Sequence, residues 1–296
     1  MRINYIDASE MMADLLAELP PDPRISVHVG DPDEEALVAL AHEAEVILNG
    51  HTSMGAGLLA RLPALRRIVF LGTGASSYID LEAAAARGIT VDTVSGYGDR
   101  SVAEMALALM LDCARRVTQM DRDLRAGQWN PREGVLLQGR RLGLVGFGGI
   151  GAEMARIGRA LGMDLAIWNR SEIAEDWRGF QMPLPEVLSG SDVISLHLAL
   201  TPQTRGLLGQ EAFAAMKPGA IFVNTARGAL VDETALIAAL RSGHLAQAGL
   251  DVFETEPLPP GSPLLGCPNL VLSAHAGFKT RDAARALLQK ALAKIG

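Results

Sequence analysis

Two kinds of hydrophobic pattern alternate along the chain. Short runs of β-branched and aliphatic residues, typical of buried strands, are separated by longer segments rich in Ala, Leu and Glu with helical spacing, such as Glu34–Glu45. Strands that alternate with helices predict a parallel sheet with helices on both faces. In the first third of the chain the predicted strands are Ile3–Ile6, Ile25–Val29, Val46–Leu48, Ile68–Leu71 and Ile89–Val91.

A second alternating series follows a loop around Trp129-Asn-Pro131. The chain is therefore expected to form two α/β units of unequal size. The predicted strands of the second series are Leu142–Val145, Leu165–Trp168, Val193–Leu196, Ala220–Val223, Ala248–Val252 and Leu270–Leu272.

A long apolar helix is predicted between the two series. Ser101-Val-Ala-Glu104 fits a capping box, in which the Ser hydroxyl accepts from an amide of the first turn and the Glu side chain reaches back. Apolar residues on several sides of this helix indicate that it is buried, between domains or at a subunit interface.

Composition and charge narrow the function classes. The 296 residues are 49% hydrophobic, which is enough for a large core, and the net charge is -7 without a long Lys/Arg run. An acidic surface argues against nucleic acid or an anionic membrane as the main partner. Cys113 and Cys267 form no metal-binding or disulfide pattern, and Cys113 fits a core position. Without an apolar leader or spanning run, the expected location is the cytoplasm, and no metal site is expected.

The second series opens with a glycine-rich turn. Gly146-Phe-Gly-Gly-Ile-Gly151 matches G-x-G-x-x-G, follows a predicted strand and opens a predicted helix. Gly146 allows the tight turn, Gly148 lets the backbone approach a pyrophosphate, and Gly151 lets the helix pack close to the strand. Because a helix N-terminus binds anions, the turn predicts a dinucleotide site that includes Gly149 and Ile150.

The cofactor type is read from the end of the next strand. About 20 residues after the glycine turn, an acidic residue would hold the 2′-hydroxyl of NAD. Asn169, Arg170 and Ser171 stand there instead, and an amide, a guanidinium and a hydroxyl suit a 2′-phosphate. NADP(H) is therefore favoured, with NAD(H) as the alternative, because Glu172 places a negative charge one residue later and Arg170 can also be read as a solvated loop residue.

Three further segments follow predicted strands and carry reactive side chains. They contain Arg227, the carboxylates Asp251, Glu254 and Glu256, and His275. Ligands of open α/β sheets bind beyond the carboxyl ends of the strands. An Arg that grips a carboxylate, a His that donates a proton and a carboxylate that holds the imidazolium would together suit reduction of a 2-oxo acid. The alternatives are a purely structural role for His275, a plain salt bridge for Arg227, and Glu254 rather than Glu256 as the partner of His275.

Several motifs in the same order resemble the D-isomer-specific 2-hydroxyacid dehydrogenase family, which includes glyoxylate/hydroxypyruvate reductases and phosphoglycerate dehydrogenases. The resemblance runs from about Leu71 to Thr280. The motifs that carry it are Val102-Ala-Glu104, Gly146–Gly151, Asn224-Thr-Ala-Arg227-Gly-Ala-Leu-Val-Asp232, Gly249–Pro257 and His275.

The resemblance implies roles for single positions. Arg227 would bind substrate, Glu256 would pair with His275, and His275 would be the general acid and base. Asp251 would contact the nicotinamide carboxamide. Other residues implied along the cofactor are Leu198, Pro202, Thr225, Ala226 and Gly277, and the backbone implied to bind the substrate carboxylate is the loop of Gly72, Thr73, Gly74 and Ala75, which ends at Ser76.

The family also implies the architecture: two Rossmann-like, doubly wound parallel-sheet domains with an active-site cleft between them. The substrate domain would be residues 1–98 plus 279–296, and the dinucleotide-binding domain 99–278. A homodimer through the cofactor domain and the Ser101 helix is implied as well. Ala274, Phe278 and Lys279 depart from the family pattern, so the nicotinamide pocket or the far end of the substrate would differ.

The expected reaction is hydride transfer between NADP(H) and a small 2-oxo or D-2-hydroxy acid, of the glyoxylate or hydroxypyruvate kind. Two alternatives stay open at this point. One is an NAD-linked phosphoglycerate-type dehydrogenase, against which Asn169 and Arg170 argue. The other is a nucleotide-sensing protein like the corepressors that share this fold.

Overall fold

A computed structural model describes residues 1–295. Its strands are β1 Ile3–Ala8, β2 Ile25–Val29, β3 Val46–Asn49, β4 Arg67–Phe70, β5 Thr90–Thr93, β6 Arg141–Val145, β7 Asp164–Trp168, β8 Val193–Leu196, β9 Ala220–Asn224, β10 Leu245–Leu250 and β11 Leu270–Leu272. Its α-helices are α1 Glu10–Ala17, α2 Glu34–Ala41, α3 Ala56–Ala60, α4 Leu81–Ala86, α5 Asp99–Arg115, α6 Val117–Arg125, α7 Gly149–Ala160, α8 Glu175–Arg178, α9 Leu184–Gly190, α10 Gln210–Ala215, α11 Glu233–Arg241 and α12 Arg281–Leu292.

The chain divides into two compact units. The first comprises Met1–Gly98 and the chain from Lys279 onward, and the second is Asp99–Phe278. The first unit holds a five-stranded parallel sheet in the order β2-β1-β3-β4-β5, and the second a six-stranded parallel sheet in the order β11-β10-β9-β8-β6-β7. The predicted Rossmann-like α/β class with two parallel sheets is therefore confirmed.

Each sheet is covered on both faces, as parallel strands require. In the second unit, one face packs under a cluster that includes Phe213 and Phe222, and the other packs under α5 and α7 through Leu109 and Met154. Cys113 belongs to the second cluster, and burial raises the pKa of its thiol to about 12. That thiol stays protonated at neutral pH, in line with the core role read from the sequence.

The start of the long helix corrects one expectation. The capping box at Ser101 is wrong, because α5 already begins at Asp99 and Ser101 lies inside it. Glu104 accepts from the Arg100 Nε at 2.8 Å instead of reaching back to a cap amide. Helix α2 is also shorter than the hydrophobic pattern predicted. It ends at Ala41 and does not continue to Glu45.

The order of the strands in each sheet identifies the edge at which a ligand would bind. In the second sheet the order reverses between β6 and β8, and in the first sheet it reverses between β1 and β3. At such a switch point the loops leave in opposite directions and open a crevice beyond the strands' carboxyl ends. Among residues 1–295, no helix combines the length and hydropathy needed to cross a membrane.

Candidate active site

The glycine turn lies at the switch point of the second sheet, between β6 and α7. Gly146 has a φ of 103°, and a Cβ there would lie 2.6 Å from the His197 carbonyl oxygen. A Cβ at Gly151 would lie 2.4 Å from the Gly146 carbonyl oxygen. Side chains are therefore excluded at both positions, as the fingerprint requires, while Ile150 packs into the neighbouring core.

The first turn of α7 fits a dinucleotide. Gly148 is its N-cap and offers no side-chain cap to the helix amides, and a Cβ at Gly148 would meet nothing within 4 Å. Uncapped amides beside open space are what a pyrophosphate needs. On the other side, a Cβ at Gly149 would collide with the Asp99 carboxylate, so an anion has room beside Gly148 rather than beside Gly149.

Asn169 connects the next strand to the glycine turn. Its Oδ1 accepts from the Phe147 amide at 3.1 Å, and its Nδ2 donates to the carbonyl oxygen and the Oγ of Ser171, both at 3.1 Å. Gln181 holds the same loop by donating to the Ser171 carbonyl at 3.0 Å. Asn169 is therefore engaged in shaping the loop, which the sequence did not indicate.

The charges after Asn169 are partly neutralised. Glu172, the residue that argued for NAD, is paired with Arg178 at 3.1 Å. Arg170 is exposed, and within the described residues its guanidinium has neither an ion pair nor a hydrogen bond. Arg170 is therefore the positively charged side chain of this loop that remains available to a ligand.

A buried amide orders the turn that carries Arg227. Asn224, at the end of β9, accepts from the Ala226 amide at 2.9 Å and donates to the Arg227 carbonyl at 3.0 Å. The next residue, Gly228, packs directly on the backbone of Phe253, since a Cβ there would lie 1.9 Å from that carbonyl carbon. This contact places Arg227 beside the segment that carries Glu256.

Glu256 and His275 form a hydrogen-bonded pair. The Glu256 Oε2 lies 2.6 Å from the His275 Nδ1, and the Oε1 accepts from the Phe253 amide at 2.9 Å. Both side chains are about one-third exposed, at 29% and 31%. The structure thus brings His275 together with Glu256 rather than Glu254, whose amide instead donates to Glu233 at 2.8 Å.

Opposing effects set the ionisation of Glu256. Partial burial raises its pKa, but the hydrogen bonds from His275 and the Phe253 amide, with the charges of His275 and Arg227, outweigh burial, so the pKa lies below its ordinary value. The positive charge of Arg227 contributes to this lowering of the pKa of Glu256. At neutral pH Glu256 is a carboxylate that orients the imidazole.

Asp251 shapes the loop that carries His275. It is 1% exposed, and its carboxylate accepts from the Ser273 hydroxyl at 2.6 Å and from the amides of Ala276 and Gly277 at 2.9 and 2.8 Å. The His275 amide donates to the Asp251 carbonyl at 2.8 Å. These bonds hold His275 at a φ of 50°, a left-handed conformation that few side-chain-bearing residues adopt.

Other predicted cofactor residues lie around the same edge. The Leu198 side chain packs against Gly146, and Pro202 is exposed in a turn closed by the Thr201 amide and Thr204 Oγ1 at 2.8 Å. The Thr225 hydroxyl is buried and has no hydrogen-bond partner among residues 1–295. A buried hydroxyl of this kind is suited to a ligand atom or water.

Only one of the two ring nitrogens of His197 has a hydrogen-bond partner among residues 1–295. Its Nε2 lies 2.9 Å from the Ser195 Oγ, while its buried Nδ1 has no partner within the part of the chain that the structure describes. Burial lowers the pKa of His197 to about 4. The imidazole beneath the glycine turn is therefore neutral at physiological pH.

In the first unit, polar groups gather at the switch point of its own sheet. The buried Asp7 accepts from the amides of Gly50, His51 and Thr52, and the His51 Nε2 lies 2.7 Å from the Asp31 carboxylate. The predicted substrate loop follows β4, which lies beside β3 in the same sheet. A Cβ at Gly72 in this loop would lie 3.0 Å from the Phe70 ring. The loop continues through Thr73 and Gly74 into a 3₁₀ turn that begins at Ala75.

Comparison with known proteins is consistent with this arrangement. Residues 107–277 match the family described as D-isomer specific 2-hydroxyacid dehydrogenase, NAD binding domain. A glyoxylate reductase of Aeropyrum pernix is 40% identical over 264 residues, which cover 85% of this chain and 78% of the relative. The solved TT0316 protein from Thermus thermophilus superposes with a TM-score of 0.87 and 37% identity, covering 99% of this chain and 94% of that one.

A D-3-phosphoglycerate dehydrogenase of Archaeoglobus fulgidus is 36% identical over 264 residues, which cover 88% of this chain but 50% of the relative. The chain thus spans half the length of that enzyme. The match to the family covers more than half of this chain, and the chain belongs to the D-isomer-specific 2-hydroxyacid dehydrogenases. It is an oxidoreductase that uses a nicotinamide cofactor.

The low pKa of His197 predicts a pH-dependent stability. Between about pH 4 and 6.5 the unfolded chain binds a proton that folded His197 does not, so the free energy of unfolding should fall as the pH falls through this window, by up to about 1.4 kcal/mol per pH unit. Urea unfolding of His197→Gln at several pH values should show a slope shallower by about one proton.

His42→Gln, at an exposed position, is the control for losing a histidine. Equal pH slopes for the wild type and His197→Gln would contradict this account of the buried imidazole.

Proposed function

We propose that this enzyme reduces a small 2-oxo acid, of the glyoxylate or hydroxypyruvate kind, to the D-2-hydroxy acid with NADPH. The observation that carries the proposal is the 2.6 Å contact between Glu256 and His275 at the carboxyl edge of the second sheet, where the turn that carries Arg227 packs on the backbone of Phe253. An acid-base histidine next to a guanidinium is the set of groups that reduction of a 2-oxo acid requires.

His275 is proposed as the proton donor. Because Nδ1 is engaged with Glu256, the opposite nitrogen, Nε2, is the one that gives its proton to the carbonyl oxygen as that oxygen gains negative charge. The Glu256 carboxylate fixes which nitrogen faces the substrate and stabilises the imidazolium that supplies the proton.

Arg227 is proposed to bind the substrate carboxylate. One N–H group of its guanidinium donates to the Ala226 carbonyl at 2.6 Å. This bond anchors one side of the guanidinium and leaves other N–H groups for a ligand. A guanidinium can grip a carboxylate with two parallel hydrogen bonds and so sets the direction of the neighbouring carbonyl. The backbone of Gly72–Ala75 in the first unit stays our proposal for further substrate contacts.

The cofactor residues remain a proposal as well. Gly146–Gly151 would receive the pyrophosphate, and Leu198, Pro202, Thr225, Ala226, Asp251, His275 and Gly277 would line the path to the nicotinamide. When bound, the cofactor supplies the hydride that the carbonyl carbon accepts. The chain's own part is to hold the carbonyl between Arg227 and His275.

The preference for NADPH is supported by the loop after β7. Asn169 and Ser171 shape that loop, Glu172 is neutralised by Arg178, and Arg170 is the exposed cation that remains. A guanidinium in this position attracts a 2′-phosphate, and its charge is of no use to the 2′-hydroxyl of NAD.

The proposal predicts a substrate and cofactor pattern. Absorbance decay of NADPH and of NADH should be followed with glyoxylate, hydroxypyruvate, pyruvate, 2-oxobutyrate, phenylpyruvate and 3-phosphohydroxypyruvate. Fast oxidation of NADPH with glyoxylate or hydroxypyruvate is expected. Preference for NADH with 3-phosphohydroxypyruvate would instead identify a phosphoglycerate-type enzyme and overturn the proposal.

Arg170 offers a direct test of cofactor choice. Arg170→Ala should weaken NADPH binding by about 10- to 100-fold, because a charged hydrogen bond to the 2′-phosphate is lost, and should leave NADH binding unchanged. Fluorescence titration with each cofactor measures both constants, and Arg241→Ala, at an exposed site on α11, is the control. Equal weakening for both cofactors would contradict a contact with the 2′-phosphate.

We further propose that the enzyme is a homodimer through the second unit. Large apolar side chains are exposed on α5, on α6 and on the segment that follows: Leu111, Val117, Leu124, Trp129 and Leu136. Trp129 is 84% exposed and Leu136 74%. Exposed large apolar residues that recur along one stretch of chain are typical of an interface, and a second copy would bury them symmetrically.

Light scattering during size-exclusion chromatography tests the dimer. The wild type should elute with the mass of two chains, and Trp129→Glu should elute as a monomer, because a buried carboxylate without a partner opposes association. Glu133→Gln, which is nearby and exposed, is the matched control. A monomeric wild type would refute the dimer.

A further inference from the structure

Phe278 lies three residues after His275, where the family resemblance predicts small residues. Its ring stands perpendicular to the imidazole, with centroids 6.4 Å apart and an interplanar angle of 88°. Perpendicular aromatic pairs at 4.5–7 Å attract each other beyond their apolar burial. Phe278 is half-buried and is the last residue of the second unit.

The remaining contacts of His275 leave one motion free. Asp251 fixes the backbone of the loop, and Glu256 fixes the Nδ1 atom. Glu256 is itself anchored by the Phe253 amide, but one hydrogen bond at Nδ1 still allows the imidazole to swing about that contact. A packed ring beside the imidazole restricts that swing and so fixes the direction of Nε2.

Gly277 determines where the Phe278 ring is placed. Its buried amide donates to Asp251, and a Cβ there would lie 3.0 Å from the Asp251 Oδ2, so the chain turns tightly with little freedom. Phe278 therefore leaves the turn in a fixed direction, set by the same carboxylate that fixes His275.

We infer that Phe278 is a positioning residue that holds the His275 imidazole, together with Glu256, in the orientation for proton transfer. The inference rests on the proposed role of His275 as proton donor. Because it concerns the direction of Nε2, it predicts a loss of turnover that exceeds any change in substrate or cofactor binding.

Three variants distinguish the effect of the aromatic ring from the effect of side-chain volume: Phe278→Ala, Phe278→Leu and Phe278→Tyr. With glyoxylate and NADPH, Phe278→Ala should lower kcat about tenfold, since small misplacements of reacting groups are costly, with KM and the Kd for NADPH unchanged. Phe278→Tyr, which keeps the ring, should restore kcat, and Phe278→Leu should stay well below it. Full activity of Phe278→Ala would overturn the inference, as would a loss that the tyrosine does not rescue.

A double-mutant comparison tests whether Phe278 acts through His275. In a His275→Gln background, Phe278→Ala should have no further effect on kcat. A further loss that multiplies the effect of His275→Gln would show a role independent of the imidazole and would overturn the inference.

A chemical probe keeps the inference testable if no 2-oxo acid is turned over, the result that would refute the proposed function itself. Diethyl pyrocarbonate acylates accessible imidazole nitrogen, and mass spectrometry of the peptide that contains His275 follows its rate. Modification should be several-fold faster in Phe278→Ala and unchanged in Phe278→Tyr. Equal rates in all three proteins would contradict the packing role.

Discussion

The geometry around His275 depends on the buried carboxylate of Asp251. The carboxylate accepts hydrogen bonds from one hydroxyl and two successive backbone amides. The backbone carbonyl of Asp251 accepts a further one from the His275 amide. Charge-assisted hydrogen bonds of this kind are about twice as strong as neutral ones, so together they can hold a left-handed residue that would otherwise cost about 1–3 kcal/mol. Without Asp251, neither the bond from His275 to Glu256 nor the packing of Phe278 has a fixed starting point.

Close backbone contacts bring the rest of the site to the same edge. Parallel strands end side by side, so Asn224 at the end of β9 and Asp251 just after β10 lie on neighbouring strands. Gly228 lets the turn after Arg227 pack on the backbone of Phe253, and the Phe253 amide anchors Glu256. These contacts also set the ionisation of Glu256, because the hydrogen bonds from His275 and the Phe253 amide keep its pKa below the ordinary value despite its partial burial.

The strands and the glycine turn could be predicted from the sequence, because both depend on local patterns: short apolar runs, and glycines needed for a tight turn and close packing. The pairing of His275 with Glu256 was predicted through the family resemblance, and the structure contains that contact. The roles assigned to the site residues, the domain functions and a cytoplasmic location stay predictions.

Long-range contacts account for what the sequence could not predict. The start of α5 at Asp99 lies two residues before the capping pattern, and the Asp99 carboxylate packs on Gly149, far away along the chain. Asn169 could be recognised as a cofactor candidate but not as a partner of the Phe147 amide. Gly228 belongs to a motif of the family resemblance, but the sequence did not show why glycine is needed there, because the backbone that excludes a side chain belongs to the loop after another strand.

The proton in reduction of the 2-oxo acid is proposed to come from His275. The most direct measurement is the single-turnover rate of NADPH oxidation by glyoxylate in the wild type and in His275→Gln, with the Kd for NADPH determined on both proteins. If His275 is the proton donor, the rate should fall by about 10²- to 10⁴-fold while the Kd changes little. A rate close to that of the wild type would show that His275 is not the proton donor and would contradict the account.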